Sequence, residues 1–89
     1  MTQPPSSSIY VVIAAYNEAQ VVRSVVDGIL ALGYKVVVVD DGSTDGTVAA
    51  LAGSATWVCR HLVNLGQGAA LQTGIGFACR AGATFILTF

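Results

Sequence analysis

Ile9–Ala19 reads IYVVIAAYNEA, and this stretch decides the fold. Its first seven residues, Ile9 to Ala15, are an unbroken apolar run of mostly β-branched and small side chains. A strand with one face in water would alternate apolar and polar residues. A continuous run predicts a strand buried on both faces, as in parallel sheets covered by helices. Tyr16-Asn17-Glu18 ends the run. Val21, Val22, Val25, Val26, Ile29 and Leu30 then recur with helical spacing, while Arg23, Ser24 and Asp27 take the opposite face. That pattern predicts an amphipathic helix of about four turns. Asn17 suits its N-cap, Glu18 would place negative charge at its positive end, and Gly33 would end it in a left-handed conformation.

The alternation continues outward from this unit. Lys35–Asp40 (KVVVVD) predicts a second buried strand, and Asp41–Thr47 (DGSTDGT) a turn in which Ser43, Thr44 or Asp45 caps a short helix running to about Ala52. Thr56–Arg60 predicts a third strand, His61–Gly66 a loop, Gln67–Arg80 a longer helix closed by Gly82, and Thr84–Phe89 a fourth strand. The order β-α-β-α-β-α-β makes the fold class α/β, with a parallel sheet and helices on both faces. Right-handed crossovers favour the strand order 3-2-1-4. The chain then reverses direction between strands 1 and 4, leaving a crevice at their C-terminal ends where ligands of open α/β sheets bind.

Composition narrows the function. The 89 residues are 54% hydrophobic and 10% charged, with a net charge of −1. Globular chains average about 25% charged residues, so this is a charge-poor surface for a free-standing domain, and the apolar content excludes disorder. Two arginines and one lysine precede residue 70, too few to neutralise many phosphates, so no nucleic-acid partner is expected. All five acids, Glu18, Asp27, Asp40, Asp41 and Asp45, lie in the first half. Acid-dependent chemistry must sit there. The longest charge-free internal stretch, His61–Cys79, carries polar residues and glycines where a spanning helix needs about 20 mainly apolar residues, so no transmembrane segment is expected. Met1–Ser8 is a Pro/Ser-rich lead, expected to be mobile, with no signal-peptide pattern. Cys59 and Cys79 fit no metal or redox spacing and read as reduced buried thiols. Trp57 reads as core, and His61 as a solvated loop side chain rather than a catalytic base.

The strand ends carry the chemistry. A dinucleotide site needs G-x-G-x-x-G directly after strand 1, but that turn reads AAYNEA. No Gly-Lys-Ser/Thr occurs, which excludes a phosphate-binding P-loop. A phosphoacceptor receiver domain carries its acid pair after strand 1, whereas Asp40 and Asp41 end strand 2. Two adjacent acids repel each other, and a purely structural turn needs only one. Together with Tyr16 and Glu18 on the same edge, they point to a site for a ligand rich in hydrogen-bond donors.

VVIAAYNEA, VVVVDDGSTDGT and NLGQGAALQTGI, in that order and at these spacings, resemble family 2 glycosyltransferases of the GT-A fold. The resemblance covers about Ile9–Phe89. Asn64-x-Gly66-x-Gly68-x-Ala70-Leu71 is most similar to the branch that loads sugars onto polyprenyl phosphates, the dolichyl-phosphate mannosyltransferase type. The resemblance implies a nucleotide-diphosphate sugar as donor and a polyprenyl phosphate as acceptor. Ala14 and Tyr16 would flank the donor base, Glu18 would reach the ribose or base edge, and Val39 and Asp41 would meet the nucleobase, with Asp41 accepting from a ring N–H. Asp40 would brace the turn, and the G-x-G-x-A segment would sit near the sugar and phosphates. Gln67 stands where many relatives carry Lys, and an amide supplies no positive charge.

In this family an Asp-x-Asp pair follows strand 4 and holds a divalent metal. Here the sequence reaches Phe89 without it. The resemblance therefore implies that residues 9–89 are the N-terminal part of a longer glycosyltransferase domain. Such a part would bind no cofactor and transfer no sugar alone, whereas the full-length enzyme would use Mg²⁺ or Mn²⁺. The implied location is the cytoplasm, or the membrane periphery for the full-length protein. The alternative is a stand-alone, non-catalytic nucleotide-binding module.

Overall fold

The structure is a computed structural model that describes residues 8–89. Most of the lead expected over residues 1–8 lies outside the described residues. Ser8 does not behave as part of a mobile lead, because its carbonyl accepts the Thr84 N–H at 2.9 Å. The elements are β1 (Ile9–Ala15), α1 (Val22–Ala31), β2 (Lys35–Asp41), a 3₁₀ turn (Ala49–Leu51), β3 (Trp57–His61), α2 (Gln67–Arg80) and β4 (Phe85–Thr88). The strands pair in parallel, in the order β3-β2-β1-β4.

Successive strand side chains point to opposite faces of a sheet, and that rule divides the core in two. Val11 and Ile13 of β1 with Val36 and Val38 of β2 face α1, packing with Val22, Val26 and Leu51. Tyr10 and Val12 of β1 with Val37 and Val39 of β2 face α2, packing with Ala70 and Ala78. The continuous apolar runs are thus two alternating patterns laid over each other, each satisfied by its own helix.

Helix α2 presents Ala70, Gly74 and Ala78 as its buried residues. Small side chains at this spacing let its backbone approach the sheet. A Cβ at Gly74 would lie 2.3 Å from Val12 Cγ1 and 3.0 Å from Val39 Cγ2.

Four local expectations change. Helix α1 begins at Val22 with Val21 at its N-cap, not at Asn17. Asn17 has φ 52°, and its carboxamide oxygen accepts the Thr44 N–H at 2.9 Å, so a contact to a distant loop replaces the cap. The helix expected to reach Ala52 is only the three-residue 3₁₀ turn. Trp57 is 40% exposed rather than core, because β3 is an edge strand; its ring stacks on Tyr10 at 5.8 Å between centroids. Both cysteines are free, but Cys79 is exposed and only Cys59 is half-buried, where burial pushes its thiol pKa up. No helix among the described residues is long and apolar enough to cross a membrane.

Gly74 and Gly76 of α2 should respond to substitution in opposite ways. Replacing Gly by Ala in a helix interior gains about 1 kcal/mol of propensity, whereas overpacking a core costs about 1–3 kcal/mol. At Gly76 a Cβ meets only the Arg80 guanidinium at 3.4 Å. Gly76→Ala should therefore raise the urea midpoint, and Gly74→Ala should lower it. Midpoints moving in the same direction would contradict the close approach at Gly74.

Candidate functional site

The parallel register places Asp40 beside Arg60 and Asp41 beside His61. Because strand residues alternate, the adjacent acids project to opposite faces, which limits their mutual repulsion and gives them different neighbours. Asp40 is fully buried. Its Oδ2 accepts the Ser43 N–H at 3.2 Å and lies 3.6 Å from Arg60 Nε, while Oδ1 has no partner among the described residues. This is the turn-bracing role expected of it.

Asp41, on the α2 face, gathers three donors. Oδ1 accepts the Leu65 N–H at 2.9 Å and the His61 Nδ1–H at 2.8 Å, and Oδ2 accepts the Gly66 N–H at 2.8 Å. The Leu65 amide and the His61 ring, joined by the Gly66 amide, outweigh desolvation and hold the Asp41 pKa below the ordinary 3.8. Its carboxylate thus ties the β3–α2 loop to the end of β2. Gly42 lets the two segments touch: it has φ 79°, and a Cβ there would lie 2.6 Å from Asn64 N and from Val63 C.

His61 is not solvated as expected. Its side chain is 12% exposed and is held at both ring nitrogens, by Asp41 and, at 2.9 Å, by Thr73 Oγ1 of α2. The residue ends β3 rather than opening a loop, and that one-residue extension of the strand brings it into register with Asp41.

The turn after β2 holds the loop after β1. Ser43 Oγ accepts the Asn17 N–H at 2.8 Å, Thr47 Oγ1 accepts the Glu18 N–H at 2.9 Å, and Asp45 Oδ2 accepts the Ala19 N–H at 3.3 Å. In return, Asn17 Oδ1 accepts the Thr44 N–H. Asp45 Oδ1 accepts the Thr47 N–H at 2.9 Å and a short hydrogen bond from the Thr47 hydroxyl. That hydroxyl bond, with the Thr47 and Ala19 amides behind it, holds the Asp45 pKa below the ordinary 3.8 despite some desolvation. The sequence marks Ser43, Thr44 and Asp45 as helix caps. Their partners in the loop after β1 lie 26 or 27 residues away across the sheet edge.

These loops enclose a cleft of about 380 Å³ at the C-terminal ends of β1 and β2. Ala14 and Ala15 contribute from β1, Tyr16 and Glu18 from the clamped loop, Asp41 from β2, and Asn64, Gly66 and Gln67 from the approach to α2. A second cavity of about 240 Å³ shares Ala14, Ala15, Glu18 and Gln67 and is otherwise largely apolar, with Val21, Val25 and Phe89. Of the five residues expected to meet a nucleotide, Ala14, Tyr16, Glu18 and Asp41 are brought together. Val39 is not: its side chain is fully buried in the α2-face core, where odd-numbered β2 residues point.

Among the described residues no group of three or more His, Cys, Asp and Glu side chains is placed to hold a metal ion. The Asp41 and Asp45 carboxylates already accept hydrogen bonds from backbone and side-chain donors. The described residues therefore do not form a divalent-cation site by themselves.

A parallel sheet of order 3-2-1-4, covered on both faces and opening a cleft at the β1 and β2 ends, defines a GT-A, Rossmann-like protein. The chain belongs to glycosyl transferase family 2, whose family profile matches residues 10–85. It is 42% identical over 82 residues to the uncharacterized protein MJ1222 of Methanocaldococcus jannaschii, a match covering 91% of this chain and 34% of that protein. Its fold is similar to that of the mannosyltransferase PcManGT from Pyrobaculum calidifontis, solved in complex with GDP-Man and Mn²⁺. There the TM-score is 0.71 and the identity 27%, over 85% of this chain and 25% of that one. The chain thus spans about a third of the length of the first relative and a quarter of the second.

The lowered Asp41 and Asp45 pKa values fix the sign of a pH effect. A carboxylate whose pKa is depressed on folding stabilises the native state above its unfolded pKa, and that contribution is lost as pH falls through the folded value. The urea midpoint should hold steady from about pH 7 to about pH 5 and drop below about pH 4. Asp45→Asn should lower the neutral-pH midpoint and flatten the acid drop. An acid limb unchanged in that variant would contradict the clamp.

Proposed function

We propose that this chain supplies the donor-binding portion of an enzyme that transfers a sugar from a nucleoside diphosphate to an acceptor. The observation that carries this reading is the Asp41 carboxylate, held by three donors at the mouth of the cleft. A carboxylate offers about four acceptor positions, so one remains for a ring N–H of the donor base. Tyr16, 46% exposed, presents ring surface to the base, and Glu18 reaches toward ribose hydroxyls. Val39 then acts through the packing beneath the cleft rather than by touching the base with its side chain.

Helix α2 opens on the cleft at Gln67; Asp41 takes the Gly66 N–H, and the first turn that follows has no cap from its own N-cap residue. Unpaired N–H groups and the positive end of a helix dipole favour phosphate oxygens. They offset the missing charge at Gln67. GDP-mannose is the first donor to test, because the mannosyltransferase from Pyrobaculum calidifontis was solved with it. That complex also contains Mn²⁺, which supports a divalent metal in the whole enzyme. The Asn64-x-Gly66-x-Gly68-x-Ala70-Leu71 segment supports a polyprenyl phosphate as acceptor, and with it a cytoplasmic or membrane-peripheral location.

Calorimetric titration tests the donor reading. GDP or UDP should bind the wild-type chain, and Asp41→Asn should weaken that binding about tenfold or more, since a hydrogen bond to a charged group contributes roughly 1.5–3 kcal/mol. Failure of the wild type to bind either nucleotide would contradict the reading. With no metal-holding cluster among its described residues, the 89-residue chain should transfer no mannose from GDP-mannose to a polyprenyl phosphate above a no-protein control. Measured transfer by the chain alone would overturn that statement.

A further inference from the structure

We propose that His61 and Thr73 are positioning residues that determine which oxygen of Asp41 meets the donor nucleotide; this rests on the nucleotide-binding reading above. The two oxygens are not equivalent. Oδ1 accepts from both His61 Nδ1 and Leu65 N, which fills its two acceptor positions, while Oδ2 accepts from Gly66 N and retains one. The oxygen free to accept a base N–H is therefore Oδ2.

His61 is the side chain that creates this difference. An ionised carboxylate only accepts hydrogen bonds, so Nδ1 carries the proton and donates to Oδ1 at 2.8 Å. In the neutral ring Nε2 is then the acceptor, and the Thr73 hydroxyl donates to it at 2.9 Å. The chain of hydrogen bonds runs from α2 through the end of β3 to the end of β2, joining three elements. Terminal carboxylate torsions are broad and roughly two-fold, so two amide donors alone leave both oxygens with an open position. With the His61 side chain only 12% exposed, water does not readily replace the ring. Packing alone would be served equally well by valine at position 73, which has the same shape without the hydroxyl.

Calorimetry with GDP and UDP, paired with ¹⁵N NMR of the His61 ring, tests the relay in the whole chain. The wild-type ring should be the Nδ1-protonated tautomer. Thr73→Val should shift the Nε2 resonance and weaken nucleotide binding about three- to tenfold, the range set by one hydrogen bond. Thr73→Ser should restore both. His61→Phe should weaken binding at least as much, and His61→Asn, whose amide can donate to Asp41, should recover part of the loss. Unchanged affinity in both Thr73→Val and His61→Phe would overturn the proposal, as would equal losses in Thr73→Val and Thr73→Ser. If His61→Phe does not fold, the Thr73 pair decides alone. A wild type that binds neither nucleotide overturns the functional reading instead. The relay geometry then stands or falls on the tautomer, and an Nε2-protonated ring overturns it.

Discussion

Asp41 leaves the end of β2 on the α2 face of the sheet, and its carboxylate collects the N–H groups of Leu65 and Gly66 together with the His61 ring. The rest of the cleft follows from this one convergence. Parallel pairing puts His61 directly beside Asp41, and the two-residue period of a strand sends Asp40 the other way, toward Ser43 and Arg60. Were β2 shifted by one residue against β3, the two acids would exchange faces, and the β3–α2 loop would lose its anchor. The packing of α2 matters for the same reason. Gly74 allows the helix to lie close to Val12 and Val39, which brings Thr73 within reach of His61.

A second set of bonds positions the other wall. Ser43, Thr44, Asp45 and Thr47 line no part of the main cleft, yet they hold the loop that carries Tyr16 and Glu18. These bonds link main chain to short side chains on two loops, so they order the backbone with little side-chain entropy to lose. The DGSTDGT segment therefore divides its labour. Its first acid faces the cleft, and the remainder shapes the loop opposite.

Much of this was readable from the residues alone. The valine run at 36–39 and the Val-Val-Ile run at 11–13 announced strands buried on both faces, and alternation with helical segments, joined by right-handed crossovers, led to the strand order. The boundaries of α2 at Gln67 and Arg80 were also clear, with Gly82 closing the helix. The start of α1 was not, because Asn17 satisfies Thr44 rather than the helix, a choice that depends on a loop 27 residues away. His61 was hidden for a related reason. Nothing in its neighbours along the chain signals a carboxylate on the adjacent strand. The strand register reveals that carboxylate, and the contact to Thr73 requires the helix to be docked. The acid pair at a strand end was the signal available for the site. A histidine closing the next strand, at the position paralleling the second acid, would have been the signal for its partner.

The proposed nucleoside diphosphate site lies where Asp41 and Tyr16 meet the start of α2. Backbone ¹H–¹⁵N NMR during a titration with GDP locates the bound nucleotide. The largest shifts are expected at Ala15, Tyr16, Glu18, Asp41, Gly66 and Gln67. Shifts concentrated instead at the opposite end of the sheet, in the groove of about 490 Å³ between Tyr34, Lys35 and Trp57, would contradict it.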